Sequence, residues 1–210
     1  MEIRKFGHSC MLVEGEGVRI LIDPGSYSTG FESLSEIDGL LLTHQHIDHF
    51  DKDRILQLLT SNDSADVVAD EQTAALLSDA ATVRSVHEDD QFSVGALDIT
   101  VHGREHMVIH PDLPNVTNVG YFIADTLFHP GDALTVPERP VNVLALPVGA
   151  PWLRVRDAID YLRAVRPAVA IGIHERALGS PALSYGLIGR FAAEQGTRFV
   201  VLDGDDSLVV

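Results

Sequence analysis

The chain has 210 residues, with 15 Lys and Arg against 31 Asp and Glu, and a formal net charge of −16. So acidic a surface repels phosphate backbones and anionic bilayers, so neither nucleic acid nor a membrane is an expected partner. Hydrophobic residues at 45% and charged residues at 22% fit a globular protein rather than a disordered one, and the length suits one domain over residues 1–210.

Met1–Phe6 lack the apolar stretch of an export signal. No apolar run approaches the roughly 18 residues of a membrane span. A cytoplasmic, reducing setting is expected. The single cysteine, Cys10, permits no intramolecular disulfide and reads as a small core residue.

In chain order, strands are predicted around Ile3–Phe6 and Met11–Val13. Glu14-Gly15-Glu16-Gly17 is a turn signal leading to a second arm, Val18–Ile22, which Asp23-Pro24-Gly25 ends. Gly39–Thr43 is a short continuous apolar run, the pattern of a strand buried on both faces. A helix is predicted over Asp51–Thr60, with Ile55, Leu58 and Leu59 on one face. A strand at Ala65–Ala69 and a short helix at Glu71–Leu77 follow, then strands at Val83–Val86, Phe92–Val94 and Leu97–Val101. Residues 103–117 read as a loop. Val119–Ala124 and Thr126–His129 form a hairpin turning near Asp125, and Val141–Leu146 is a buried strand. Val155, Ala158, Ile159, Leu162 and Val165 keep helical spacing, Ala168–Ile173 is again a buried strand, and a last helix (Leu183–Ala193) and two short strands close the chain. This order predicts two similar halves, each a sheet with helices outside, packed sheet to sheet.

Ten histidines are many for this length, and His is the commonest transition-metal ligand. The strongest signal is His44-x-His46-x-Asp48-His49, directly after a buried strand. Imidazoles two residues apart can converge on one ion where the backbone leaves a strand, and the following Asp and His can face a second. Burying such groups without a metal is costly, and coordination offsets that cost.

The segment resembles the signature of the metallo-β-lactamase superfamily, H-x-H-x-D-H after a buried strand. The resemblance covers nearly the whole chain. Gly7-His8-Ser9-Cys10 with Leu21-Ile22-Asp23-Pro24 is similar to the opening of its small metal-dependent hydrolase branch. That branch holds lactonase-like proteins and relatives of a phospholipase D. His129-Pro130-Gly131-Asp132, Pro147-Val148-Gly149 and Ile171-Gly172-Ile173-His174 are similar to its later segments.

The resemblance implies an α/β fold, a four-layer αββα sandwich. It implies that His44 and His46 bind one metal with a third histidine, that Asp48, His49 and His174 hold a second, and that Asp132 bridges the two. For the third histidine His102, His106 and His110 stand open. His106 is preferred because it follows Gly103 in a loop, whereas His102 ends a strand. His8 is placed near the metals as a hydrogen-bonding or substrate-contacting group. Asp23 would fix its loop or the second nitrogen of a ligating histidine. Trp152 is a candidate for the substrate pocket; His87 and His129 have no motif to support a role.

The resemblance further implies two divalent ions, with Zn2+ the first choice for this His/Asp set and Mn2+ or Fe compatible with it. They would share a hydroxide that attacks an ester, lactone, amide or phosphodiester in a small molecule, with Asp48 or Asp132 relaying the proton. The alternatives are an iron-dependent oxidoreductase and a non-catalytic metal-binding protein. Oligomeric state is not legible in the sequence.

Overall fold

The computed structural model describes residues 1–204 and 206–210. Strand β1 (Glu2–Lys5) pairs antiparallel with β2 (Met11–Gly15), which forms a hairpin with β3 (Val18–Ile22). The hairpin turns at Glu16-Gly17, both with positive φ (51° and 75°), the conformation whose twist matches a two-residue loop. Strands β4 (Gly39–Leu42), β5 (Asp66–Asp70) and β6 (Arg84–Val86) then add in parallel to β3. Helix α1 (Lys52–Leu59) connects β4 to β5 and α2 (Glu71–Leu77) connects β5 to β6. The Asp51 and Asp70 side chains cap these helices by accepting from the backbone amides of Arg54 and of Gln72 and Thr73.

The second sheet starts with the antiparallel run β7 (Gln91–Val94), β8 (Leu97–His102), β9 (Gly120–Ile123) and β10 (Leu127–His129). It continues in parallel through β11 (Val143–Pro147), β12 (Val169–Ile173) and β13 (Arg198–Val200). Helix α3 (Val155–Val165) lies between β11 and β12, and α4 (Ala182–Glu194) between β12 and β13.

Among the described residues each sheet has seven strands. The alternation of side chains along the strands divides the apolar residues into three layers. Met11, Val13, Ile20, Ile22 and Leu41 face Val101, Tyr121, Ile123, Val143 and Ile171 between the sheets. Their neighbours Leu12, Leu21, Leu40 and Leu42 turn outward onto Ile55, Leu58 and Leu77 of α1 and α2. Phe128, Leu144, Leu146 and Ala170 turn outward onto Ala158, Leu162, Ile188 and Ala192 of α3 and α4. Each such Val, Leu, Ile, Phe or Met side chain stabilises the fold by about 1.5–3 kcal/mol. This is the expected αββα sandwich, with the predicted elements in place to within a few residues.

The two halves differ from expectation in one respect. The last two strands part company: β13 extends the second sheet, while β14 (Ser207–Val209) crosses back to pair with β1 at the edge of the first. Leu208 thereby joins the layer between the sheets, and the termini meet through Met1 N to Val210 O at 2.8 Å and Val210 N to Met1 O at 2.9 Å. The pattern Ser-Leu-Val-Val predicts a strand but not which sheet will take it.

Candidate metal centre

Strands β1, β3, β4, β8, β10, β11 and β12 all leave their sheets at the same edge of the sandwich. Their following loops carry His8, Asp23, His44–His49, His106, Asp132, Trp152 and His174. Ligand sites of open α/β sheets form beyond the carboxyl ends of parallel strands, where helix and strand connections leave room.

His44, His46, His106 and Asp132 form one group, with one ligating atom from each lying within 4.8 Å of the others. His8, His49 and His174 form a second group on the same criterion. The Asp132 carboxylate stands between them. Its Oδ1 is 2.9 Å from His49 Nε2 and 2.8 Å from His174 Nε2, and its Oδ2 is 3.1 Å from His106 Nε2. The short approach of His174 Nε2 to Oδ1 lacks hydrogen-bond geometry. Both atoms, and His44 Nε2, are buried without a hydrogen-bond partner. Leaving polar atoms so costs about 1–3 kcal/mol each, and a shared cation removes that cost. The residues present therefore fit a metal centre.

The far sides of the rings are held. Asp23 is fully buried and accepts from Thr43 N at 2.8 Å, from Thr43 Oγ1 at 2.7 Å and from His49 Nδ1 at 2.6 Å. Since the Thr43 hydroxyl donates to Asp23, its oxygen is left to accept from His44 Nδ1 at 3.0 Å. His106 Nδ1 donates to the Met107 carbonyl at 2.5 Å. These bonds select the tautomers whose Nε2 lone pairs point into the site.

Backbone strain accumulates here. His8, Asp23 and His174 have φ of 52°, 47° and 68°, a region that costs a non-glycine residue about 1–3 kcal/mol. Glu175 offsets part of it by joining the first and last loops: its Oε1 accepts from His8 N at 2.9 Å and pairs with the buried Lys5 Nζ at 2.6 Å. The His8 and His174 rings stack at 4.6 Å. Two glycines permit the loops to close. At Gly25 a Cβ would lie 2.0 Å from the Asp48 carbonyl oxygen. At Gly131, with φ of 61°, it would lie 2.3 Å from Asn118 Oδ1.

Burial pushes His44 well below, and His46 below, the usual imidazole value, toward the neutral, ligating form; neighbouring imidazoles (His49 beside His44, His106 beside His46) add to it. Burial likewise brings His8 down to about 4, against the opposing pull of Asp48. His49 goes the other way: burial opposes its cation, but the Asp132 and Asp23 carboxylates outweigh it and hold its pKa above the usual value. Burial works against the Asp132 anion, and His174 and His49 more than reverse this, keeping the carboxylate ionised. Asp48 is also held below the carboxylate range, because its hydrogen bond from His8 and the charge of His49 exceed the cost of burial.

Asp48 is placed differently from His49. Its Oδ2 lies 2.9 Å from His8 Nε2 and 3.9 Å from His49 Nε2, with 24% of the side chain exposed. His8, expected only nearby, stands in the second group itself. Of the three open histidines, His106 is brought to His44 and His46. His102 turns to the outer face of the second sheet, against Phe122 and Phe128, where Thr100 Oγ1 meets its Nε2 at 2.9 Å. His110 is exposed on the loop beyond, hydrogen-bonded to the Asp112 amide. Trp152 Nε1 donates to Asp132 Oδ2 at 2.7 Å, with its ring 6.0 Å from that of His106. His129 is buried, with Ser9 O at 3.0 Å from its Nε2, and His87 is exposed. Asn118 carries no sequence signal, yet it orients the Asp132 loop by accepting from Asp132 N and donating to Pro130 O, both at 2.9 Å.

A family model described as the beta-lactamase superfamily domain matches residues 2–174, ending on His174. The chain belongs to this superfamily. Within the superfamily it is similar to Protein Rv0786c of Mycobacterium tuberculosis, 42% identical over 213 residues and 99% of both chains. A UPF0173 metal-dependent hydrolase of Carboxydothermus hydrogenoformans is 27% identical over 195 residues, 83% of this chain and 84% of that protein. Among solved structures, the metallo hydrolase Igni18 of Ignicoccus hospitalis superposes with a TM-score of 0.76 at 19% identity, over 99% of this chain and 97% of that one. At that identity the likeness speaks for the fold.

Proposed function

We propose that this superfamily member is a metal-dependent hydrolase acting on a small molecule, with two divalent ions, Zn2+ first, held at the two histidine groups. The observation that carries the reading is the Asp132 carboxylate lying between both groups, with partnerless buried His44 Nε2 and His174 Nε2 beside it. His44, His46 and His106 would hold one ion. His49 and His174, with Asp48 or His8, would hold the other, and Asp132 would touch both. Bound ions supply Lewis acidity and bring the pKa of water toward 7, so no serine or cysteine nucleophile is required.

The chain's own groups supply the rest. Asp23, Thr43 and the Met107 carbonyl keep the imidazoles aimed before substrate arrives, so little reorganisation is needed. Asp48 is the more exposed of the two carboxylates and stays ionised. Its exposure and its bond to His8 place it where it could relay the proton released by attacking water. Trp152 Nε1 fixes one oxygen of Asp132. Carboxylates and histidines leave the substrate scope at esters, lactones, amides or phosphodiesters.

Elemental analysis of the purified protein should find close to two equivalents of transition metal, and under about one equivalent refutes the reading. Turnover of a lactone panel and a nitrophenyl phosphodiester should be abolished by His46→Ala and by Asp132→Ala. Metal-dependent oxygen uptake without hydrolysis would assign the site to oxidative chemistry instead.

A further inference from the structure

Among five cavities of about 330 to 580 Å³, one reaches the histidines of the metal centre. A cavity of about 580 Å³, lined by Phe92, Asp98, Thr100, Phe122 and Arg139, opens on the outer face of β7–β9. The one at the histidines, about 330 Å³, has His46 and His106 as its floor and residues 108–110 and 113–116 as its wall. That wall is apolar: Val108, Ile109, Leu113, Pro114 and Val116 line it, with Gln45, His110 and Asn115 as the polar groups. No Lys, Arg, Asp or Glu lines it among the described residues.

The side chains of this wall are also out of place for an ordinary surface. Val108, Ile109 and Leu113 are 58%, 41% and 56% exposed, within six residues of each other and beside a polar centre. A concentrated apolar exposure beside a cavity marks a binding surface. The charge pattern selects the occupant. A substrate tail carrying a phosphate or carboxylate would need a cationic partner to offset desolvation, and the wall has none. A cationic tail would need a carboxylate, and the wall has none of these either. An uncharged hydrocarbon tail needs neither.

We propose that this cavity is the subsite for an uncharged apolar tail on the substrate, with the scissile bond presented to His46 and His106 at its floor. The proposal rests on the hydrolytic reading of the site for the word substrate, but the subsite can be tested without any hydrolysis. Trp152, the sole tryptophan, has its ring 6.0 Å from that of His106 and reports on the site by fluorescence.

The metal-loaded protein is titrated with butanol, hexanol and octanol, following Trp152 emission and heat of binding. Affinity should rise roughly 3- to 4-fold per added methylene. Leu113→Asp and Val108→Asp, both at exposed loop positions, should flatten that series. In parallel, kcat/KM for nitrophenyl esters from acetate to octanoate should rise with chain length, and an ester ending in a second carboxylate should lose the gain.

A flat alkanol series in the parent protein overturns the proposal, as does a slope that both variants keep. A concentration-dependent dimer that Leu113→Asp dissociates, without alkanol binding, overturns it by giving the patch to a second copy of the chain. A preserved alkanol slope with no ester hydrolysed supports the subsite and removes the hydrolytic reading instead.

Discussion

At the scale of single residues, the centre depends on groups that never face the substrate. Asp23 holds His49 and Thr43 at once, so Asp23→Ala should weaken metal binding by about 10–100-fold. Competition with a chromogenic chelator measures this, and an unchanged affinity would show that His49 is oriented by its surroundings alone. Gly131→Ala should destabilise the protein by about 1–3 kcal/mol, because a Cβ there meets Asn118 and Thr43 and the backbone φ is positive. A thermal melt with a loss of activity out of proportion to the loss of folded protein would show Asp132 displaced. Acid should act through the histidines in the metal-free protein. His8, His44, His46, His102 and His129 have lowered pKa values, so the unfolded chain binds more protons than the folded one as pH falls below about 6.5. Their contribution is complete above the unfolded value and is lost as pH falls toward the folded one, about 4 for His8. The raised pKa of His49 works in the opposite sense: its contribution is present below the unfolded value and fades as pH rises through the folded one. Five groups outweigh one, so the urea midpoint of the stripped protein should drop between pH 7 and pH 5; a midpoint that rises would make His49 the dominant group.

At the scale of elements, the loops that bear the site are tied to the sheets by side chains from neighbouring strands. The Tyr121 hydroxyl crosses from the second sheet to donate to the Leu42 carbonyl at 2.8 Å, one residue before Thr43. Asp70 caps α2 and also accepts from the Thr117 hydroxyl, fastening the loop that carries His106 to the first sheet. Asp70→Ala should therefore cost about 0.5–2 kcal/mol as a lost cap and lower metal affinity as well. If metal affinity holds while stability falls, the tie to Thr117 has no bearing on His106. The elements themselves were legible. Gly39–Leu42 is a run of apolar residues that only a doubly covered strand can bury, and Asp51 before an amphipathic stretch marks a helix start. The ligand loop was legible too, because His44, His46, Asp48 and His49 are crowded into six residues. The partners of these residues were not. Asn118 reaches Asp132 across 14 positions, and Lys5 reaches Glu175 across 170, and neither distance leaves a local pattern.

At the scale of the whole molecule, the centre is assembled from both sheets, so metal and fold should stabilise each other. Removing metal with a chelator should lower the thermal midpoint, and restoring it at about 1,000 times its dissociation constant should return about 4 kcal/mol. A chelated protein that melts unchanged would mean that the two sheets close without the ions. The sequence by itself determined the order and kind of the elements, the sandwich they form and the principal cluster of candidate ligands. Those follow from the period of apolar residues and from close spacing, both of which are local. Only the tertiary structure decided that β14 returns to the first sheet, that His106 rather than His102 or His110 joins His44 and His46, that His8 stacks on His174, and that Trp152 donates to Asp132. Each of these depends on which strand ends share an edge, and that is set by the packing of two sheets far apart in the chain.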